Sequence, residues 1–155
     1  MLTEQLTLMD YIRERHPVTL SPTDTVYEAV HTMKICGIYG ILVCSNGRLK
    51  GMFTYDDYIA AMAPDGGPPK FTTLAEVMRV RLYPQGPQTS AKQAFRICVR
   101  NSIQHLPIIA MDGRPLGVVS RDELARDIYD DLEEMEEECR HLKVYINGQG
   151  YARPA

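Results

Sequence analysis

Two stretches of the chain place a hydroxyl three residues ahead of a carboxylate, each behind a glycine and two apolar residues. They are Gly51-Met-Phe-Thr54-Tyr-Asp-Asp57 and Gly117-Val-Val-Ser120-Arg-Asp-Glu123. Such a pair can serve two ends. Ser-x-x-Glu is a capping box, in which hydroxyl and acid satisfy backbone N–H groups at the start of a helix, and Thr-x-x-Asp approximates one. A carboxylate can equally accept from two adjacent hydroxyls of a ligand, and hydrogen bonds to a charged group are worth about 1.5–3 kcal/mol. Both uses stay open at either motif.

Little else in the chain suits chemistry. There is no G-x-S-x-G, H-E-x-x-H, Walker A or G-x-G-x-x-G pattern. The histidines, His16, His31, His105 and His141, are dispersed. Cys36, Cys44, Cys98 and Cys139 form no C-x-x-C pair and no zinc spacing. Asp56 and Asp57 are adjacent and would diverge on a helix, so they make no acid/base dyad. The expectation is a protein without catalytic activity.

The elements that carry the two motifs occur twice. Pro17–Ala29 matches Leu82–Ala94, with Pro22 over Pro87, at an offset of 65. Ile41–Thr54 matches Pro107–Ser120 at an offset of 66, which places one inserted residue between the blocks. In each copy a Pro/Ser/Thr turn leads into a helix with apolar residues at helical spacing. These are Val26, Ala29, Val30 and Met33 in the first, and Ala91, Ala94, Phe95 and Cys98 in the second. A short apolar run follows, then Asn46-Gly47 or Asp112-Gly113, the strongest hairpin signal, then a second strand and another helix. Short leading strands are expected near Val18-Thr19 and Leu82-Tyr83. One copy is too small to cover its own sheet, so the two should pack as one globule. The resulting fold class is α+β: two βαββα repeats packed sheet to sheet with pseudo-two-fold symmetry, plus an extended acidic C-terminal helix. The expected boundaries are repeat 1 at 6–62, a Pro/Gly linker at 63–70, repeat 2 at 71–128, the extended helix at 129–143, and a short strand and tail at 144–155.

The duplicated unit resembles a tandem pair of cystathionine-β-synthase (CBS) repeats, a Bateman module. The resemblance rests on Leu8-Met-Asp-Tyr-Ile12 and Leu74-Ala-Glu-Val-Met78, on Pro17-Val-Thr-Leu-Ser-Pro-Thr-Asp-Thr-Val26, on Ile103-Gln-His-Leu-Pro-Ile-Ile109, and on the two Gly-h-h-Ser/Thr-x-x-acid motifs, h being apolar. It covers about Leu6 to Ile128. It implies a regulatory, energy-sensing module that binds an adenosine-containing ligand, AMP, ADP, ATP or S-adenosylmethionine, in a cleft between the repeats, with no cofactor required. Family practice would put Asp57 on the ribose and the Thr54 and Ser120 hydroxyls on phosphate. In the second copy Glu123 holds the Asp position and Asp122 stands one step early. His105, with Tyr39 matched to it in the first copy, would face phosphate, and Arg121 is a further candidate. Thr19 and Leu20 would offer backbone to the base, where the second copy has Pro84, which lacks an N–H. One cleft would then hold Thr19, Ile38, His105, Ser120 and Glu123; the other, Thr54 and Asp57 with Pro84.

The net charge of −3 hides an asymmetry: Asp122–Glu138 carries ten acidic residues and one arginine, leaving the remainder at +6. A mildly basic body suits an anionic ligand or simply balances a solvated acidic face. Nucleic acid is not expected. Ala125, Ile128, Leu132, Met135, Cys139 and Leu142 form a 3-4 seam, so the last helix should continue past the repeats. It could dock on its own body, on the same helix of a homodimer partner, or on another protein. That seam supports the alternative function, a ligand-free dimerisation or scaffold module. Lys143-Val-Tyr-Ile146 reads as a short strand. The longest apolar run, Ile35–Cys44, is half a membrane span. Scattered cysteines without a signal peptide point to the cytoplasm, and any signal would pass to another chain.

Overall fold

The computed structural model describes residues 6–62 and 66–148. Its first half runs α1 (Leu8–Ile12), β1 (Thr19–Leu20), α2 (Val26–Cys36), β2 (Gly40–Ser45), β3 (Arg48–Thr54) and α3 (Tyr55–Ala61). Its second runs α4 (Leu74–Val77), α5 (Ala91–Asn101), β4 (His105–Ile109), β5 (Pro115–Ser120) and α6 (Arg121–Gly148). Thus two repeats of one topology follow each other, as the duplicated pattern requires.

Local chemistry explains the elements. α2 starts at Thr25, whose hydroxyl accepts from the Glu28 N–H while the Glu28 carboxylate takes the Thr25 N–H, and it stops at Gly37 in the left-handed region (φ 65°). α5 starts at Ser90 and stops at Ser102. The β2–β3 turn has positive φ at both Asn46 and Gly47, the geometry of a two-residue hairpin. The β4–β5 connection is longer, 110–114, and only Gly113 has positive φ.

β1 lies parallel to β2, and β2 antiparallel to β3; β4 and β5 form the second sheet. A full second leading strand near Leu82-Tyr83 does not form. The chain pairs at Gln85 alone: its N–H donates to Pro107 O (3.0 Å) and its carbonyl accepts from Ile109 N–H (2.9 Å). Pro84 and Pro87 bracket that residue and cannot extend the ladder.

Each sheet is buried on both faces. Ile41, Val43 and Phe53 join Val26, Ala29 and Met33 of α2 in one core; Leu106, Ile108 and Val119 join Ala91, Ala94 and Cys98 of α5 in the other. Leu42, Met52 and Pro107 alternate with these residues, are buried, and lie in neither core. By strand alternation they face the opposite sheet, and β2 touches β5 there.

The short lead-in helices are exchanged. Leu8 and Ile12 of α1 lie in the second repeat's core, and Leu74 of α4 lies in the first's. The exchange is symmetric in its hydrogen bonds: Leu8 N–H donates to Thr89 O (2.9 Å) and Met9 N–H to Pro87 O (2.8 Å), while Leu74 N–H donates to Asp24 O (2.8 Å) and Ala75 N–H to Pro22 O (2.9 Å). The motif glycines make room for it. A Cβ on Gly51 would lie 2.6 Å from Met78 Sδ, and one on Gly117 would lie 2.8 Å from Ile12 Cγ2.

α6 runs on to Gly148, so Lys143–Ile146 is helix and not the expected strand. Once a helix is nucleated, each added residue gains a backbone bond; a strand at this point would need a sheet edge to pair with. The tail beyond 148 lies outside the described residues. From Leu132 to Ile146 every residue is exposed, so the seam at Leu132, Met135 and Leu142 is not docked on its own body. No helix among the described residues is long and apolar enough to cross a membrane.

Candidate functional site

β3 delivers Thr54, 7% exposed, to the start of α3. Thr54 N–H and Oγ1 both donate to Asp57 Oδ2 (2.9 Å each), and Asp57 N–H donates to Thr54 Oγ1 (3.3 Å). β5 delivers Ser120 to α6 in the same way: Ser120 N–H donates to Glu123 Oε2 (2.8 Å), and Glu123 N–H to Ser120 Oγ (3.1 Å). Both motifs therefore cap helices.

Each acid has one oxygen left, and each is met by an arginine from the other repeat's lead-in segment. Arg79 Nη2 lies 2.9 Å from Asp57 Oδ1, and Arg15 Nη2 lies 2.5 Å from Glu123 Oε1. Burial raises the Glu123 carboxyl, but the bonds from Arg15 and the Ser120 amide outweigh it, and the acid sits below its ordinary range. The sequence reading missed these arginines. The signal was there: Arg13-x-Arg15 and Arg79-x-Arg81 follow the two lead-in helices at an offset of 66.

His105 pairs across the ladder with Ser120, as Gly40 pairs with Thr54. The structural counterpart of His105 is thus Gly40, at an offset of 65, and not Tyr39. The inserted residue lies in the longer β4–β5 connection instead of ahead of the central strand. The two counterparts meet: a Cβ on Gly40 would lie 3.4 Å from His105 Cδ2 and 3.6 Å from Thr54 Cγ2. The imidazole thus packs directly over Gly40, in ordinary contact with where a Cβ would stand. Its Nδ1 is buried and has no hydrogen-bond partner among the described residues. Burial lowers the His105 pKa, opposed by the charges of Asp56, Glu123, Asp122 and Asp57.

Thr54 and His105 line one cleft between the repeats, with Asp56, Arg79, Arg81, Leu82, Tyr83 and Gln104 among the other walls, around about 80 Å³. Thr54 does face the second copy's lead-in chain, as expected. His105 joins it there, however, instead of lining a cleft with Thr19 and Ile38, because the ring reaches across at Gly40. Pro84 faces another groove, with Arg48, Lys50 and Ile109.

The remaining candidates lie apart from this cleft. Thr19 is exposed, and Leu20 and Ile38 pack against the first core. Tyr39 is 70% exposed and meets Tyr55 edge to face. Arg121 N–H donates to Gln104 O (2.7 Å), and its charge is felt by the buried Cys98 thiol. Asp122 is exposed.

The family described as "CBS domain" matches the chain twice, over residues 9–64 and 74–130. The CBS domain-containing protein YhcV of Bacillus subtilis is 34% identical over 107 residues, covering 69% of this chain and 75% of that protein. The CBS-domain containing protein ATU1752 from Agrobacterium tumefaciens superposes with a TM-score of 0.68 at 23% identity, covering 77% of this chain and 94% of that one. The CBS domain pair of protein MJ0100, in complex with 5′-methylthioadenosine and S-adenosyl-L-methionine, gives 0.70 at 18% identity, covering 78% and 94%. With two matched repeats, exchanged lead-in helices and a capped hydroxyl–acid motif in each, the chain belongs to the CBS domain family as a tandem pair.

Proposed function

We propose that this chain is a non-catalytic regulatory module that binds an adenosine-containing ligand of the AMP, ADP and ATP class in the Thr54 cleft and signals through a partner chain. One observation carries the reading. Between the repeats, Thr54, Asp56, Arg79, Arg81 and His105 line one cleft, and Arg79 holds Asp57 on its guanidinium. Such a set offers hydroxyl, carboxylate, guanidinium and imidazole groups together, the complement of a ribose phosphate. The MJ0100 pair, of like fold, holds two adenosine compounds. The cleft encloses far less than the roughly 300 Å³ of a small-molecule pocket. A ligand must therefore widen it, and movement between the repeats is the signal a partner would read.

A second reading, a scaffold without ligand, is favoured by the exposed α6 seam. A thermal-shift panel of AMP, ADP, ATP and S-adenosylmethionine separates the two, with Thr54→Ala and Asp57→Ala alongside. Ligand at 100 times its dissociation constant adds about 2.7 kcal/mol, or about 5–10 °C for this length. A shift lost in both variants supports the sensor. A flat panel at millimolar ligand transfers the function to the seam.

A further inference from the structure

Asp57 has no oxygen to spare. Its Oδ2 accepts the Thr54 amide and hydroxyl, and releasing it would uncap α3. Its Oδ1 is held by Arg79 (2.9 Å). A ribose hydroxyl seeking this carboxylate must displace the guanidinium. That exchange is easy in one respect: the Arg79 side chain is 45% exposed, so the guanidinium can turn into water while Asp57, 14% exposed, accepts the incoming hydroxyl in its place. Arg79 is also held where it can act next. Its backbone N–H donates to Met52 O (2.8 Å) and its carbonyl accepts from Met52 N–H (3.0 Å), so only the side chain has to turn. Two residues on, Arg81 lines the same cleft and has no ion-pair partner among the described residues.

On the reading of this cleft as an adenosine site, we propose that Arg79 is a latch on Asp57 that a phosphate releases, so that the cleft takes phosphorylated adenosine ligands in preference to phosphate-free ones. A phosphate-free nucleoside that captures Oδ1 strands a guanidinium without its anion. A phosphorylated one returns an anion to it: the arginine fork leaves the carboxylate and closes on phosphate oxygens, whose geometry it matches, with Arg81 beside it. One side chain thus sets specificity twice, against the bare nucleoside when latched and for the phosphate when released. At the second motif Arg15, whose counterpart by sequence is Arg81, holds Glu123 in a similar pair.

Titration calorimetry of ADP and adenosine into wild type, Arg79→Ala and Arg81→Ala tests this. Wild type should bind ADP at least about tenfold tighter than adenosine. In Arg79→Ala the two ligands should move in opposite directions: ADP weakens about tenfold, while adenosine tightens because Oδ1 is open. Arg81→Ala should weaken ADP by a larger factor than adenosine. Should Arg79→Ala fail to fold, Arg79→Lys keeps the stem and charge without the fork and should lose part of the ADP preference. If both ligands bind and the ADP-to-adenosine ratio survives the Arg79 variants, the latch is overturned and the adenosine site stands. If neither ligand binds wild type or Arg79→Ala, the adenosine reading and the latch fall together.

Discussion

Replacing Gly117 by alanine tests the exchange of lead-in helices directly. Gly117 sits in β5 without positive φ, so alanine meets no backbone strain there; in open space the change would even gain about 0.4–1 kcal/mol from the unfolded chain. The space is not open. The new methyl would lie 2.8 Å from Ile12 Cγ2 and 3.3 Å from its Cβ. Ile12 is β-branched, 5% exposed, and packed among Leu8, Ala91 and Leu124, so it cannot swing clear. Forcing a methyl into such a core costs about 1–3 kcal/mol. At about 2 kcal/mol, a chain of this length loses about 4–8 °C in Tm. Urea unfolding of wild type, Gly117→Ala, Ile12→Ala and the double variant closes a cycle. Ile12→Ala alone should cost about 2–5 kcal/mol through the cavity it leaves. In the double variant the Gly117→Ala penalty should vanish, because its methyl enters that cavity, giving a coupling of at least about 1 kcal/mol. A neutral Gly117→Ala, or strict additivity, would show that α1 does not lie on β5 and would refute the exchange.

Two further outcomes follow from burial and exposure. The His105 pKa is lowered in the folded chain, so below its ordinary value near 6.5 the unfolded chain binds more protons and stability falls as pH drops. His105→Gln should flatten the fall in urea midpoint between pH 7.5 and 5; an unchanged slope would place the sensitivity elsewhere. Ending the chain at Asp131 removes the exposed part of α6 and should move Tm by less than about 2 °C. A drop above about 5 °C would mean that this segment supports the body after all.

Much of the fold was legible because it is encoded locally and twice. The Asn46-Gly47 turn, the caps at Thr25 and Ser90, and the apolar faces of α2 and α5 each depend on residues a few positions apart. What was not legible depends on distant pairs. Nothing near Leu8 says that its partners are Ala91 and Leu106 instead of Ala29 and Ile41. The inserted residue was misplaced because Ile41-Leu-Val and Pro107-Ile-Ile align equally well one step either way; only the ladder, pairing Gly40 with Thr54 and His105 with Ser120, fixes the register. That single step makes Gly40, and not Tyr39, the counterpart of His105, and it is against Gly40 that the ring enters the Thr54 cleft. Arg79 and Arg81 were overlooked for a related reason. Arginines after a short helix read as solvated ends, and only the exchange carries them over the first repeat's motif.

The capping and ligand readings of the hydroxyl–acid motif, posed as rivals from sequence, divide the carboxylate between them. Asp57 gives Oδ2 to the start of α3, and that fixes the side chain so that Oδ1 faces Arg79. A carboxylate without the cap would lose rotamer freedom on meeting a ligand; this one has already lost it on folding. The cap is therefore what makes the second oxygen a well-aimed acceptor, for Arg79 now and for a hydroxyl in exchange. The same logic sets the asymmetry between the repeats. Glu123 caps Ser120 with its longer chain and presents Oε1 to Arg15 at 2.5 Å, in surroundings that hold the acid below its usual range. Arg15 and Arg79 are similarly exposed, and the two pairs differ in length, 2.5 Å for Arg15–Glu123 against 2.9 Å for Arg79–Asp57. The longer pair is also the one whose arginine lines the cleft beside Thr54, so a ligand entering there meets Arg79–Asp57 first.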